Sequence, residues 1–223
     1  MTEHVKSARR YNSTGRLTQA EANRQVILNA AKRQFLDAGF GDTTIGGIAR
    51  EAGVSVQTIY KGFGSKSGLV RAIFDSALEG RGPVAAYQRS DQMRDRETDP
   101  ITIMRNWGGL VAEVASVATP ISLLIRSAAA SDPDMSALLG ASDEERLTRM
   151  RHHAQFLADR GYLRHGVTLD EAADILWHCS SAELYEMLVL RRRWSLSRFG
   201  QFVAEFMITA LLPPPDVRSS SEG

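Results

Sequence analysis

At 223 residues and 43% hydrophobic content, the chain is long enough to bury a full core and too apolar to belong to the disordered class. Its net charge of +1 hides an asymmetry: residues 1–70 hold 10 Lys or Arg against 5 Asp or Glu, leaving 17 against 21 for the rest, so a basic N-terminal part precedes an acidic body. The single cysteine, Cys179, excludes an internal disulfide and a cysteine-rich zinc site. With no unbroken run of about 18 apolar residues and no apolar stretch in MTEHVKSARRYNSTGR, neither a membrane partner nor secretion is expected, and the predicted location is cytoplasmic.

Residues 1–20 carry four basic side chains without sustained periodicity and read as a flexible basic arm. Arg9, Arg10 and Arg16 are either solvated or in reach of phosphate or minor-groove contacts. From Glu21, the spacing of Ile27, Ala31 and Phe35 predicts an amphipathic helix that ends near Gly39. Thr44 is placed to cap a second helix, which turns Ile45, Ile48, Ala49 and Ala52 inward. Gly53 terminates it, Val54 returns to the core, and Ser55 caps a third helix. In that third helix Ile59 and Phe63 share the buried side, leaving Val56, Gln57, Thr58, Tyr60 and Lys61 outside. Two short helices around a Gly turn form a helix-turn-helix, and the outer set suits a major groove. Gln pairs with adenine, Val and Thr meet thymine methyls, and Tyr and Lys reach phosphates. The capped N-termini at Thr44 and Ser55 add anion-binding amides, and Lys66 adds a cation that reads either as solvated or as a phosphate contact.

The order AAxxxFxxxGFxxTTIxxIAxxAGVSxxTIYxxFxSKxxL, within roughly Arg24 to Leu69, resembles the N-terminal domain of the tetracycline-repressor (TetR) family of transcriptional regulators. Ala30, Phe35, Gly39, Phe40, Thr44, Ala49, Gly53, Val54, Ser55, Tyr60, Phe63 and Lys66 fall in register. The chain departs from that pattern in two places. Gly62 stands where the family usually has a His or aromatic residue, and Ser67 with Gly68 replaces acidic residues that complete a cap, so the next helix is expected to fray at its start.

That next helix is predicted from Lys66 to Glu79, with Leu69, Val70, Ile73, Phe74 and Leu78 on its apolar side. Gly82 and Pro83 open a segment reaching Arg96, in which DQMRDRETD reads as a loop or frayed end. Asp99 and Pro100 start a helix through Trp107, Val111 and Val114, and Pro120 is expected to begin another. After a break at 131–133, Ser142 and Glu145 spell a capping box for a helix closed by Gly161. Thr168 and Glu171 spell a second box, ahead of a stripe containing Ala172, Ile175, Leu176, Cys179, Leu184, Met187 and Leu188. Ser195 caps a last helix bearing Phe199, Phe202, Val203, Phe206, Met207, Ala210 and Leu211, and Pro213–Pro215 stop it.

The predicted fold is therefore all-α: a basic arm (1–20), a three-helix head (21–66), a helical bundle (67–212) and a disordered tail (213–223). The last two helices carry more apolar surface than a small bundle covers, which is met either by burial within the chain or by a homodimer. The resemblance favours the dimer, reading a palindromic operator with two heads, and implies a small-molecule effector in the middle of the bundle. Met104, Trp107, Leu110, Leu123, Phe156, Trp177 and Tyr185 are the candidate lining residues, or else plain core. Arg126 reads either as an outer-face charge or as a partner for an anion.

His152 and His153 are neighbours in sequence, as are His178 and Cys179, so neither pair can converge on one metal from a helix. No nucleophile elbow and no Gly-rich loop after a strand occurs, so no cofactor is implied and neither a catalytic nor a metal site is assigned. The reading is a ligand-responsive transcriptional repressor. The alternatives are a helical protein-interaction module, and behind it a small-molecule enzyme, neither of which accounts for the polar outer face of 56–61.

Overall fold

The computed structural model describes residues 13–82 and 84–214, which form ten α-helices, one π-helical segment and no strand. The packing divides the chain between Leu69 and Val70 into two units. Arg9, Arg10, Pro83, Pro215 and the rest of the expected tail lie outside the described residues.

The first unit contains α1 (Ser13–Asp42), α2 (Ile45–Ala52), α3 (Val56–Phe63) and the start of α4 (Lys66–Leu78). Helix α1 begins eight residues before the expected Glu21, because extending an existing helix avoids a second nucleation cost. The Gln19 amide also donates to Asn23 one turn on, at 3.0 Å. At Gly39 the backbone leaves helical geometry with φ of 81°, where the sequence expects the helix to end. Ile27, Ala31, Phe35, Ile45, Ile48, Ala49 and Ile59 are all buried as predicted, and Phe35 stacks on Phe40.

The second unit continues α4 and adds α5 (Ala86–Arg96), α6 (Pro100–Ala129), α7 (Pro133–Asp159), α8 (Leu169–Cys179), α9 (Ala182–Tyr185), a π-helical segment (Glu186–Arg191) and α10 (Leu196–Leu211). Four local expectations are overturned here. The charged stretch DQMRDR is helix, because Asp91 pairs with Arg149 of α7 at 2.7 Å and with Arg94 at 3.4 Å. Pro120 does not start a helix but lies inside α6, where burial of Ala118, Thr119 and Ile121 offsets the missing amide, a loss of roughly 3 kcal/mol. The Ser142–Glu145 capping box does not form, because α7 already starts at Pro133 under an Asp132 cap that accepts from the Met135 amide at 3.0 Å. The stripe beyond Thr168 is not one helix: the capping box is present, but the Ser180 hydroxyl folds back on the Trp177 carbonyl and Ser181 caps α9.

Helix α6 is the centre of this unit and packs on α5, α7, α9 and α10. It also qualifies the expectation of no apolar run: by length and composition it could cross a membrane, although Glu113 and Pro120 interrupt it. Its Ile103, Met104, Trp107, Ile121 and Ile125 are buried within the protein. Helices α6 and α10 cross closely at Gly108 and Gly200. A Cβ on Gly108 would lie 2.4 Å from the Gly200 carbonyl oxygen, so only glycine fits. We expect Gly108→Ala to cost about 1–3 kcal/mol in urea-unfolding stability. An unchanged midpoint would show that the two helices separate freely.

Candidate nucleic-acid interface and ligand cavity

The α2–turn–α3 segment is fixed by caps at both of its entrances. The Thr44 hydroxyl accepts from the Gly47 amide at 3.0 Å and the Ser55 hydroxyl from the Thr58 amide at 3.1 Å, as expected of the two N-caps. Gly53 adopts the left-handed conformation, φ 67°, and lets the Val54 amide reach the Ala49 carbonyl. With Ile59 buried, α3 presents Val56, Gln57, Thr58, Tyr60 and Lys61 outward, Val56 at 41% and Tyr60 at 51% exposure. Thr44 and Ser55 are exposed at the same helix starts, while the Thr58 hydroxyl shares a 2.8 Å hydrogen bond with Ser55.

Lys66 makes scaffold contacts that its sequence context does not announce. Its ammonium donates to the carbonyls of Phe40 at 2.7 Å and Thr43 at 3.2 Å and lies 4.2 Å from the centre of the Phe40 ring. The break at Gly39 leaves carbonyls at the end of α1 without helical partners, and the lysine satisfies them. It stays partly exposed, with two of its three donors engaged by these carbonyls.

The expected fraying after Ser67 is also corrected. The Ser65 hydroxyl caps α4 by accepting from the Gly68 amide at 2.9 Å, and a Cβ on Gly68 would fall 2.0 Å from the Phe63 carbonyl oxygen. Gly68 is thus demanded by the close turn rather than standing in for an absent acid. Gly62, by contrast, is exposed with nothing within 4 Å of its missing Cβ. Three supports of this unit carry no local sequence signal. Buried Thr43 donates to the Gly39 carbonyl at 2.7 Å. Arg33 and Gln34 both donate to Glu51, which holds its carboxyl below the usual range. The Arg24 guanidinium covers the Phe63 ring.

The second unit holds a half-open cavity of about 340 Å³ lined by α4, α5, α6, α7 and α8, with Glu183 of α9 and Met207 of α10, at the small end of ligand sites. Of the seven candidate lining residues, Trp107 and Leu110 face it and five do not. Met104 is wholly core, Tyr185 packs edge-on against Phe199, and Phe156 packs edge-on against both Trp107 and Tyr162. Trp177 lies under the Arg146 guanidinium, and Leu123 sits one position off the stripe of α6 that lines the cavity through Val111, Ala115, Ser122 and Arg126. Arg126 has both of its predicted traits: it is exposed, and it meets an acidic partner in Glu183 at the cavity rim.

The wall that sequence reasoning missed is α7, through Leu139, Ser142, Arg146, Met150 and His153. Their spacing of three and four residues was the available signal, obscured by the apparent cap at Ser142. His153 is 6% exposed, with its ring 4.5 Å from that of Trp107. Burial, reinforced by the charges of Arg149 and Arg94, pushes its pKa down to about 3, so it is neutral at physiological pH. A wider depression of about 690 Å³ lies over the α6–α10 crossing, where Arg81, Arg105, Glu113 and Glu205 stand around Gly109, Ala112, Gly200 and Ala204. Among the described residues no group of three or more His, Cys, Asp or Glu is placed to hold a metal.

Comparison with known proteins bears on both units. Residues 27–73 match the family described as "Bacterial regulatory proteins, tetR family". The HTH-type transcriptional regulator TtgR of Pseudomonas putida is 37% identical over 87 residues, covering 39% of this chain and 40% of that protein. The chain thus aligns with well under half the length of the curated relative. Solved structures extend the fold likeness further. NalD, the secondary repressor of the MexAB-OprM multidrug efflux pump in Pseudomonas aeruginosa, superposes with a TM-score of 0.66 at 20% identity, covering 87% of this chain and 98% of that one. SmeT, solved as a complex with triclosan, gives a TM-score of 0.68 at 21% identity, covering 86% and 92%.

Replacing Lys66 by Met keeps the stem and removes the ammonium from its two carbonyls. We expect a loss of about 1–3 kcal/mol of stability, with the slope of log affinity for duplex DNA against log salt unchanged. A slope reduced by about 0.9 would instead mark a phosphate contact.

Proposed function

We propose that the chain, whose residues 27–73 match the tetR family of bacterial regulatory proteins, is a transcriptional repressor of that family, binding a palindromic operator as a homodimer and released by a small molecule. The carrying observation is the outer face of α3, where five side chains of base-reading and phosphate-reaching chemistry stand exposed on a helix fixed by its caps. In this reading Gln57, Val56 and Thr58 read bases, and Tyr60 and Lys61 hold the backbone. Thr44 and Ser55 present capped helix starts to phosphates. The head extends over 21–66 and the regulatory bundle over 67–212, acting in the cytoplasm beside the DNA.

The dimer reading rests on an exposed aromatic run. Phe202 and Phe206 stand exposed with their rings 6.3 Å apart, the half-buried Trp194 meets Phe202 at 5.5 Å, His178 of α8 meets Phe206, and Met187, Leu190 and Leu196 are exposed as well. An apolar surface of this kind is used by a partner, and a second copy of the chain is the one that would pair two reading heads. Truncating the chain before α10 would not test this, because Phe199, Val203 and Met207 are core. Effector binding would act by shifting the balance between a spacing of the heads that fits successive major grooves and one that does not. Helix α4 is suited to carry that change, since it starts in the head at Lys66 and supplies Phe74 and Leu78 to the cavity wall.

We expect Gln57→Ala to weaken operator binding by about 1–3 kcal/mol while leaving random duplex nearly unaffected. Equal loss on both would remove its base-reading role. Phe206→Glu, at an exposed position, should leave the fold intact and yield a monomer in sedimentation. A persisting dimer would move the interface elsewhere.

A further inference from the structure

Every acidic or basic side chain on the cavity wall already has an opposite charge beside it. Arg126 pairs with Glu183, Arg146 with Asp143 at 3.1 Å, Arg149 with Asp91 at 2.7 Å, and Glu145 with Arg71 at 2.9 Å. An ionic occupant would therefore lose its hydration and find no unpaired counter-charge. Two wall residues do lack partners: the Ser142 hydroxyl and the His153 Nδ1 atom are sealed from water and make no hydrogen bond. A buried polar atom left unsatisfied is costly, so an occupant that reaches it gains what the protein alone forgoes. Rotation of the serine side chain or a flip of the imidazole ring turns either atom without moving the backbone. The two residues are eleven apart on α7 and so share a face, with about 16 Å between their backbone positions. A volume of about 340 Å³ drawn out over such a length is a slot. Apart from the paired charges, most of the wall is apolar, through Trp107, Leu110, Ile125, Met150 and Met207.

Building on the reading of this cavity as the effector site, we infer that it takes a neutral, elongated, largely apolar molecule with a hydroxyl group at each end, one addressed by His153 and the other by Ser142. The protein's pairing of its own charges selects against acids and amines, and the two orphan atoms select for the hydroxyls.

The test uses the full chain and four probes: trans-stilbene, 4-hydroxystilbene, 4,4′-dihydroxystilbene and stilbene-4-carboxylate, titrated by calorimetry and by quenching of tryptophan fluorescence. We expect each hydroxyl to tighten binding about five-fold or more, and the carboxylate to bind roughly fifty-fold more weakly than 4-hydroxystilbene. His153→Phe and Ser142→Ala should each abolish the gain from one hydroxyl while leaving stilbene affinity within about three-fold, and the double variant should abolish both. A carboxylate that binds as well as the phenol, or hydroxyls that add nothing in the unaltered protein, would overturn the inference while leaving the cavity as a binding site. Failure of all four probes to bind would overturn the cavity reading together with it.

Discussion

The bundle depends on the approach of two backbones. At Gly108 and Gly200 the absence of side chains lets α6 and α10 meet with carbonyl oxygens against α-carbons, and Ala112 and Ala204 continue the seam. Close approach of this kind maximises dispersion contact and leaves little room for either helix to slide. It also allots the faces of both helices. With one side of α6 committed to α10, its other side, through Trp107, Val111 and Ser122, becomes a wall of the cavity. With one side of α10 committed to α6, Phe202 and Phe206 are left facing outward. An interior site and an exterior apolar surface thus follow from one steric constraint.

The first unit is organised by a different demand, the satisfaction of carbonyls where α1 stops. Gly39 breaks the helical pattern, and the groups this strands are met by Thr43 and Lys66, two side chains distant in sequence that converge on the same corner. The corner in turn sets where α2 begins and so where α3 points. A residue that resembles a phosphate ligand by type and position therefore also holds the scaffold together.

Much of this was legible in the sequence, where local chemistry decides the outcome. The caps at Thr44, Ser55, Asp99, Thr168 and Ser195, the left-handed Gly53 and Gly161, and the buried stripe of α1 all form as their residue types require. Legibility failed where tertiary packing overrode a local signal. Pro120 and Ser142 look like helix starts, yet Pro120 is carried through by the burial of Ala118, Thr119 and Ile121, and Ser142 by a helix already begun under the Asp132 cap. The charges of DQMRDR look solvated, yet α7 pairs with them. The cavity was the least visible feature, because aromatic and Met side chains mark core and binding site alike. The choice of Met104, Leu123, Phe156, Trp177 and Tyr185 followed residue type, whereas the actual wall followed helix phase. The Gly108–Gly200 seam was invisible for a related reason: a glycine in sequence does not disclose what it faces.

Pro120 has a mechanical side as well. A helix resists bending because its outer hydrogen bonds must lengthen, and a proline has already removed one of them. The stiffness of α6 is therefore lowest one turn from Ser116 and beside Thr119, a residue on the cavity wall. The two ends of the helix differ in their anchorage, one clamped to α10 at the glycine seam and the other bearing Arg126 at the rim. Any bend in α6 is therefore concentrated at Pro120, between the glycine seam and the rim.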